Sequence, residues 1–483
     1  MLKALNIRLC FKVVSRNLFI LSAAMGFCAA ISLAFSDNMF PFLIPAMVVF
    51  FVGWGMHLLT RKLEINGSMH RKEAYLTVAL SWLLLSIFGA LPYLISGTIP
   101  SFVNAFFESV SGFTTTGSSI LEDIESLPAS ILFWRSLTHW IGGIGIIVLV
   151  IIVMPSLQIG GYHLFSMESS FQEKIRPRVS AMGRQLLLIY VLLTGLQVLL
   201  LSLGGMNLFE SVCHAFGTIA TGGFSPKNDS IAGYSAYIQY VVMAFMVLSG
   251  ANFIIHYHLL RREFKKVRSN EEFLFYLAVI SLLGIILSGI LFFKVQLPME
   301  DSVRKGFFQV VTIVTCTGYA TADYLEWPIY AWTILFIAMF LGGSTGSTAG
   351  GIKMARHLIL VKNFARLFRQ LTSPFAVLSI KLSRKAINDT ENSAILGFIS
   401  LYLLVFVMGC LAMLILGLDG KTAAGSVATC MAGIGPGIGS VGPASNFAHL
   451  PVAAKMLLSL LMLVGRLEIY TVIILFSRSF WKP

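Results

Sequence analysis

Apolar residues run through this chain in long unbroken stretches instead of recurring at helical or alternate spacing. Nine stretches contain no Asp, Glu, Lys or Arg: residues 17–36, 38–60, 74–107, 136–167, 185–209, 230–260, 273–293, 327–352 and 392–418. A tenth, from Pro451 to Ser477, carries Lys455 near its start and is interrupted by Arg466 and Glu468. Crossing the roughly 30 Å hydrocarbon layer of a bilayer takes about 20 residues of helix, so the pattern predicts ten membrane spans. The basic start (Lys3, Arg8, Lys12, Arg16) ahead of an apolar run imitates a secretory signal. With so long an apolar part and nine further stretches, an uncleaved first helix is the expectation.

Composition supports the membrane reading: of 483 residues, 57% are hydrophobic and only 12% are charged, about half the share of a soluble domain. The six cysteines are scattered, with neither a CxxC pair nor a histidine at metal-ligand spacing, so neither a zinc site nor a disulfide framework is indicated. A net charge of +13 would suggest nucleic acid in a soluble protein. Here most basic residues fall on alternate loops (3–16, 61–72, 174–184, 261–268, 353–385 and 478–482), which is the positive-inside distribution with both termini in the cytoplasm. The charge therefore records topology, and no nucleic-acid partner is implied. The opposite loops hold Glu122, Asp123, Glu125, Asp229, Glu300, Asp301, Asp323, Glu326 and Asp419, which either concentrate cations at an outer vestibule or merely follow the topology rule.

Four amphiphilic segments follow outward-going spans, each ending in a short Gly-containing polar turn: SFVNAFFESVSGFTTTGSS from Ser101, NLFESVCHAFGTIATGGFS from Asn207, VRKGFFQVVTIVTCTGYAT from Val303 and TAAGSVATCMAGIGPGIG from Thr422. Each is too short to cross the membrane again, so each reads as a re-entrant half-helix followed by an extended loop. Irregular backbone at membrane depth is tolerated where it lines a water-filled cavity, since unsatisfied peptide groups in lipid are costly. Aligning the turns brings Gly117, Gly223, Gly318 and Gly435 into register. The fold expected is an all-α polytopic membrane protein with a pseudo-fourfold repeat of helix–pore loop–helix units behind two accessory helices. Its divisions are 1–72, 73–178, 179–268, 269–385 and 386–483. Four such loops around one axis can replace the hydration shell of a monovalent cation with backbone carbonyls, and half-helix C-termini aimed at that axis add negative dipole ends.

On FFESVSGFTTTGSS, ATGGFS, GGSTGSTAGGIK and GRLEIY, together with the repeat, the chain resembles the Trk/Ktr/HKT superfamily of K⁺ transporters, in particular its TrkH/TrkG-type membrane subunits. The resemblance implies K⁺ uptake through a single-chain, pseudo-tetrameric channel fold in a bacterial inner membrane. It also implies a homodimer and a cytosolic, TrkA-like nucleotide-binding regulatory ring. It assigns a K⁺ selectivity filter to Thr114, Thr115, Thr116, Gly117 and Ser118 in the first loop, and to Ala220, Thr221, Gly222, Gly223 and Phe224 in the second. The third loop supplies Thr315, Cys316, Thr317, Gly318 and Tyr319, and the fourth Ala432, Gly433, Ile434, Gly435 and Pro436. The third loop has Cys-Thr where the family commonly shows Thr-Ala, and the fourth has Ala432 and Gly433 where Trk-type proteins often show two Asn. K⁺ is the transported ion, and no organic cofactor is implied.

The eighth stretch ends in Gly342, Gly343, Ser344, Thr345, Gly346, Ser347, Thr348, Ala349, Gly350 and Gly351. Interior glycine costs a helix about 1 kcal/mol per position, so a break is expected there, with the hydroxyls satisfying freed backbone groups locally. The loop would cross the permeation path as a movable plug. Arg466, fifteen residues past Pro451, is expected roughly 22 Å into the last helix. There it either faces the pore as an electrostatic barrier, as the resemblance implies, or pairs with an acid on another helix. Glu468 lies on a different helical face. Glu108 and Glu210 occupy half-helices and either bond loop backbone or face the vestibule. His256 and His258 read as interfacial, not as metal ligands. GlyIleGlyProGlyIleGly from Gly433 lacks the preceding strand of a dinucleotide fingerprint. The eight basic residues from Lys353 to Lys385 suit a cytosolic partner or anionic lipid. A Na⁺- or H⁺-coupled secondary transporter with broken helices is the alternative class, but it calls for inverted repeats and ionisable residues at the site. No nucleophilic triad or metal cluster sits within a span, so no enzyme is expected.

Overall fold

The computed structural model describes residues 6–61, 71–148, 175–376, 378–383 and 385–481. It is almost entirely helical; the one sheet among the described residues is a two-residue hairpin pairing Lys381 with Ala386 and Leu382 with Lys385. Six straight helices are long and apolar enough to cross a bilayer: Ile7–Ala34, Phe40–Thr60, Lys72–Ile95, Gly183–Leu203, Glu271–Val295 and Asp389–Ile415. Only 28–44% of their apolar windows is buried within the protein, which leaves Phe27, Leu33, Phe51, Leu188, Ile285 and Ile415 facing outward. In lipid such side chains carry no penalty, and helix contacts rest on packing and sparse hydrogen bonds. The first two helices illustrate this: Gly53 lets them approach closely beside Leu18, and Ser22 donates to the Ala46 carbonyl at 2.7 Å.

Three of the ten apolar stretches are not straight spans. The stretch 230–260 breaks at Ala251–Asn252 into helices Ala236–Gly250 and Phe253–Leu260, bent by 102°. The last stretch breaks after Arg466 by 114°. The eighth yields only the short apolar helix Ile329–Ala338 before the chain leaves helical geometry. Each break is matched by hydrogen bonds to another part of the chain, given below, so continuity that composition allows is lost to tertiary contacts. The helix Ala129–Val148 begins the stretch 136–167, whose remainder, with Lys174, Arg384 and Lys482, lies outside the described residues.

Candidate ion-conduction site

Four short helices, Phe102–Phe113, Leu208–Ile219, Met299–Val314 and Gly420–Ala432, end in the same hydrogen-bonded turn. Thr116 N donates to Ser111 O (2.9 Å), Gly222 N to Gly217 O (2.7 Å), Thr317 N to Thr312 O (2.8 Å) and Ile434 N to Thr429 O (3.1 Å). Beyond it each chain turns left-handed twice, at alternate residues. The first site is Thr115 (φ 52°), Thr221 (54°), Cys316 (55°) or Gly433 (71°), and the second is Gly117 (84°), Gly223 (79°), Gly318 (84°) or Gly435 (105°). Left-handed backbone costs a residue bearing a Cβ about 1–2 kcal/mol, so three of the loops carry that strain at their first site.

The loops lie against one another in a closed ring. A methyl group added to Gly117 would strike the Gly222 carbonyl, one on Gly223 the Thr317 carbonyl, and one on Gly318 the Ile434 carbonyl; on Gly435 it would lie 3.0 Å from Thr116 O. The order is therefore first, second, third, fourth and back to the first. The four glycines line one open vestibule of about 240 Å³. The loops are not equivalent in their side chains. Thr114 and Thr116 hydroxyls pair at 2.8 Å, as do Thr315 and Thr317, while Ala220, Gly222, Ala432 and Ile434 leave the second and fourth loops without that bond.

Behind the ring, Glu108 is fully buried and accepts from Ile120 N (3.0 Å), the Ser119 hydroxyl (3.0 Å) and Arg135 Nε (2.9 Å), so it bonds the loop and does not face the vestibule. Glu210 accepts from the Tyr234 hydroxyl (2.8 Å) and pairs with Lys227 (3.5 Å), whose ammonium pKa it raises. Most outer-loop acids are engaged locally. Asp123 accepts from the Asn228 amide, which holds its carboxyl below the usual range. Glu300 and Asp301 pair with Arg304, and Asp323 and Asp419 cap helices. Glu122 is the one acid among the vestibule's lining residues, beside Arg135 and Lys227.

Below the ring runs the segment from Gly342 to Lys353. Leu341 and Ile352 form a parallel bridge, and Gly342 N donates to Ile352 O (2.9 Å), which closes the segment into a loop. Thr348 donates to Ile219 O (3.0 Å) at the end of the second half-helix, a Cβ on Gly350 would strike Ala432 O, and Gly351 lies beside the Cys316 sulfur. The loop thus touches the inner ends of three of the four half-helices. The sixth stretch is broken to receive it: Ser344 N donates to Gly250 O (2.8 Å), and Phe253 N donates to Gly346 O (3.3 Å).

Local satisfaction by the loop's hydroxyls holds only for Ser347, which donates to Ser344 O (2.6 Å); Thr348 bonds other helices, and the Ser344 and Thr345 hydroxyls lack a partner among the described residues. A residue that sequence reasoning missed takes over much of that task. Buried Glu272 accepts from Thr345 N (2.5 Å) and Ala355 N (3.1 Å), bracketing both ends of the loop. Its only signal in the sequence was an acid at the very edge of an apolar stretch. Lys353 donates to Ala349 O.

Arg466 stands at the C-terminus of its helix, where the chain turns, and not within a continuing helix. It is 8% exposed and donates to Thr348 O at 2.7 Å; its Nε and Nη2 have no partner among the described residues, so it is not half of an ion pair with an acid. Glu468 pairs instead with Arg356, which also lies over the Phe398 ring at 3.7 Å. His256 bonds the Leu248 carbonyl and His258 pairs with Glu263, and no group of three or more metal-ligating residues occurs among the described residues.

A ring of four half-helix loops with a further irregular loop packed against it, among helices long and apolar enough to cross a bilayer, is the architecture of a membrane transport protein. The family TrkH, described as a cation transport protein, matches residues 41–482, and the chain belongs to that family. The "Trk system potassium uptake protein TrkH" of Escherichia coli K12 is 38% identical over 424 residues, 86% of this chain and 87% of that protein. The TrkH of Halomonas elongata is 33% identical over 99% of this chain and its own full length. The Escherichia coli K12 TrkG is 35% identical over 92% of each. The crystal structure of the potassium transporter TrkH from Vibrio parahaemolyticus superposes with a TM-score of 0.91 at 32% identity, covering 99% of this chain and 100% of that one.

Proposed function

We propose that the chain takes up K⁺ across the bacterial inner membrane, with both termini in the cytoplasm, and that the four-loop ring is its selectivity filter. The observation that carries this reading is the closed cycle of glycine-to-carbonyl contacts, 117 to 222, 223 to 317, 318 to 434 and 435 to 116. It leaves backbone oxygens as the groups available to a dehydrated cation and provides no ionised side chain within the loops, which suits a monovalent ion that must bind and leave quickly. The segment Gly342 to Gly351 with Arg466 is the gate. A guanidinium below the filter repels an approaching cation by about 4 kcal/mol at 4 Å and an effective dielectric of 20.

A cytosolic nucleotide-binding ring would act on this gate through the basic helix Met354–Thr372, which follows the loop directly. Much of that helix's charge is already used: Arg356 pairs with Glu468, Lys362 with Glu271 and Arg366 with Asp389. Docking therefore draws on Arg369 and the hairpin lysines, with a second copy of the chain and lipid completing the assembly. Single-channel recording of purified protein in liposomes tests the function. Unitary K⁺ currents support a channel, whereas ion-coupled flux without unitary events would favour the secondary transporter.

A further inference from the structure

Counting nine residues back from each ring glycine reaches Glu108, His214, Gln309 and Ser426, all with no exposed surface. By this register the counterpart of Glu108 in the second half-helix is His214, and not the neighbouring Glu210. Each of the first three reaches across to the outer limb of its own loop, two to four residues beyond the glycine. The strength of that reach falls round the ring. Glu108 binds Ser119 and Ile120 as a carboxylate at 3.0 Å. His214 Nε2 shares a hydrogen bond with the Ser225 hydroxyl at 3.0 Å, its other ring nitrogen being held by Glu210 O at 2.9 Å. Gln309 reaches the Thr321 hydroxyl and the Ala322 carbonyl only at 3.5 and 3.4 Å. Ser426 donates back into its own helix, to Ala423 O, and holds no loop atom.

Arg135 extends the strongest of these anchors to a second loop. Its Nε binds Glu108, Nη2 donates to the Ser119 hydroxyl (3.2 Å), Nη1 donates to Ser225 O in the second loop (3.2 Å), and the guanidinium lies 4.1 Å over the Phe224 ring. Hydrogen bonds to ionised groups are the strong ones, and a fork that binds two segments fixes their relative position as well as their distance. We propose that the buried residue nine before each of the first three ring glycines is a positioning residue for ion discrimination. The Glu108–Arg135 pair dominates by locking the first and second loops together, whereas the fourth loop is held from elsewhere, by Ser118 on Gly435 O (3.0 Å) and Tyr324 on Gly437 O (2.6 Å), and not by its own register residue. None of the positioning side chains lies within the filter loops; Glu108, His214 and Gln309 act through the outer limb of the loop each holds.

The inference rests on the loops being the filter, and the experiment keeps the two apart. K⁺/Na⁺ permeability ratios from reversal potentials, with thermal stability of the same preparation, are measured for Glu108→Gln/Arg135→Gln, His214→Ala, Gln309→Ala, Ser426→Ala and Gly117→Ser. Removing both charges together avoids stranding one of them in the interior. The ratio is expected to fall by about tenfold or more in the double variant, the scale of lost hydrogen bonds to charged groups. It should fall less in His214→Ala, less again in Gln309→Ala, and not at all in Ser426→Ala. If the double variant does not fold, the order of the three single variants decides, and a Ser426→Ala effect equal to that of His214→Ala overturns the proposal. An unchanged ratio in a folded double variant overturns it while Gly117→Ser still lowers the ratio; if Gly117→Ser is silent too, the filter assignment itself is lost.

Discussion

Two stretches of irregular backbone meet at membrane depth in this protein, and they are held by opposite means. The ring is closed by backbone packed against backbone at four equivalent positions, with the Glu108–Arg135 ion pair behind the loops and no charged residue inside them. The loop beneath it occurs once and, besides its backbone bonds to Gly250 and Phe253, is fastened by the charged side chains of Glu272, Lys353 and Arg466. Contacts of the first kind cannot be relaxed one at a time. Those of the second kind can, since each depends on a side chain that can swing away. The comparison separates contacts that hold only as a set from contacts that can be released singly.

The sharpest way to break the comparison is to put a Cβ into the ring. Gly318→Ala would place a methyl against Ile434 O at a φ of 84°. Left-handed strain of about 1–2 kcal/mol adds to that clash, and growth of a K⁺-uptake-deficient strain on low K⁺ should be abolished. Restored growth with normal K⁺/Na⁺ discrimination would remove the ring from the permeation path.

Next in size is Arg466→Ala, which removes a cation lacking an acidic partner among the described residues. Unitary K⁺ conductance should rise by about tenfold or more, since the repulsion removed is of order 4 kcal/mol at 4 Å, while the melting temperature changes little. A lower conductance with a lowered melting temperature would make Arg466 a structural residue.

Glu272→Gln keeps one acceptor oxygen but removes the charge on both loop N–H bonds. Open probability should rise a few-fold, on the scale of about 1 kcal/mol between charged and neutral hydrogen bonds, with the permeability ratio unchanged. A changed ratio at constant open probability would tie Glu272 to the ring and erase the distinction drawn here.

The smallest effect belongs to the outer rim. Asp123, held below the ordinary aspartate range by the Asn228 amide, contributes stability that is present above its unfolded pKa of about 3.9 and is lost as pH falls through the depressed value. The melting temperature of Asp123→Asn should lose a slight acid-side slope that the unaltered protein shows, with K⁺ flux at neutral pH the same in both. A large flux change would mean that the rim, too, shapes conduction.

The ring was readable in the sequence because repetition reports it: four segments with a glycine at one register stand out against apolar surroundings even when their flanking residues differ. The loop from Gly342 to Gly351 was readable from its glycines. Its fastenings were not. Glu272 is one acid at the end of one span, and nothing in the pattern says that its carboxylate turns inward to meet Thr345 and Ala355. The break after Arg466 has no proline to announce it; it depends on packing that lets Gly465 sit against Met431 O. Gln309 and His214 look like ordinary polar residues of amphiphilic helices until they are numbered from the loop glycine. The outer acids misled in another way, since composition counts charges but not the amides and helix ends that occupy them.

The closed cycle of glycine contacts also has a perimeter. With no room for a methyl at three of its joints and little at the fourth, the hoop has little slack to tighten, and a bare cation smaller than K⁺ can be reached by all four walls only if every joint shortens together. Na⁺ in the proposed filter would therefore keep some of its water or sit against one side, whichever residues line the ring. Such a constraint belongs to the circumference, which the side chains behind the loops hold in place, and Ala432 and Gly433 stand in the fourth loop without opening the hoop.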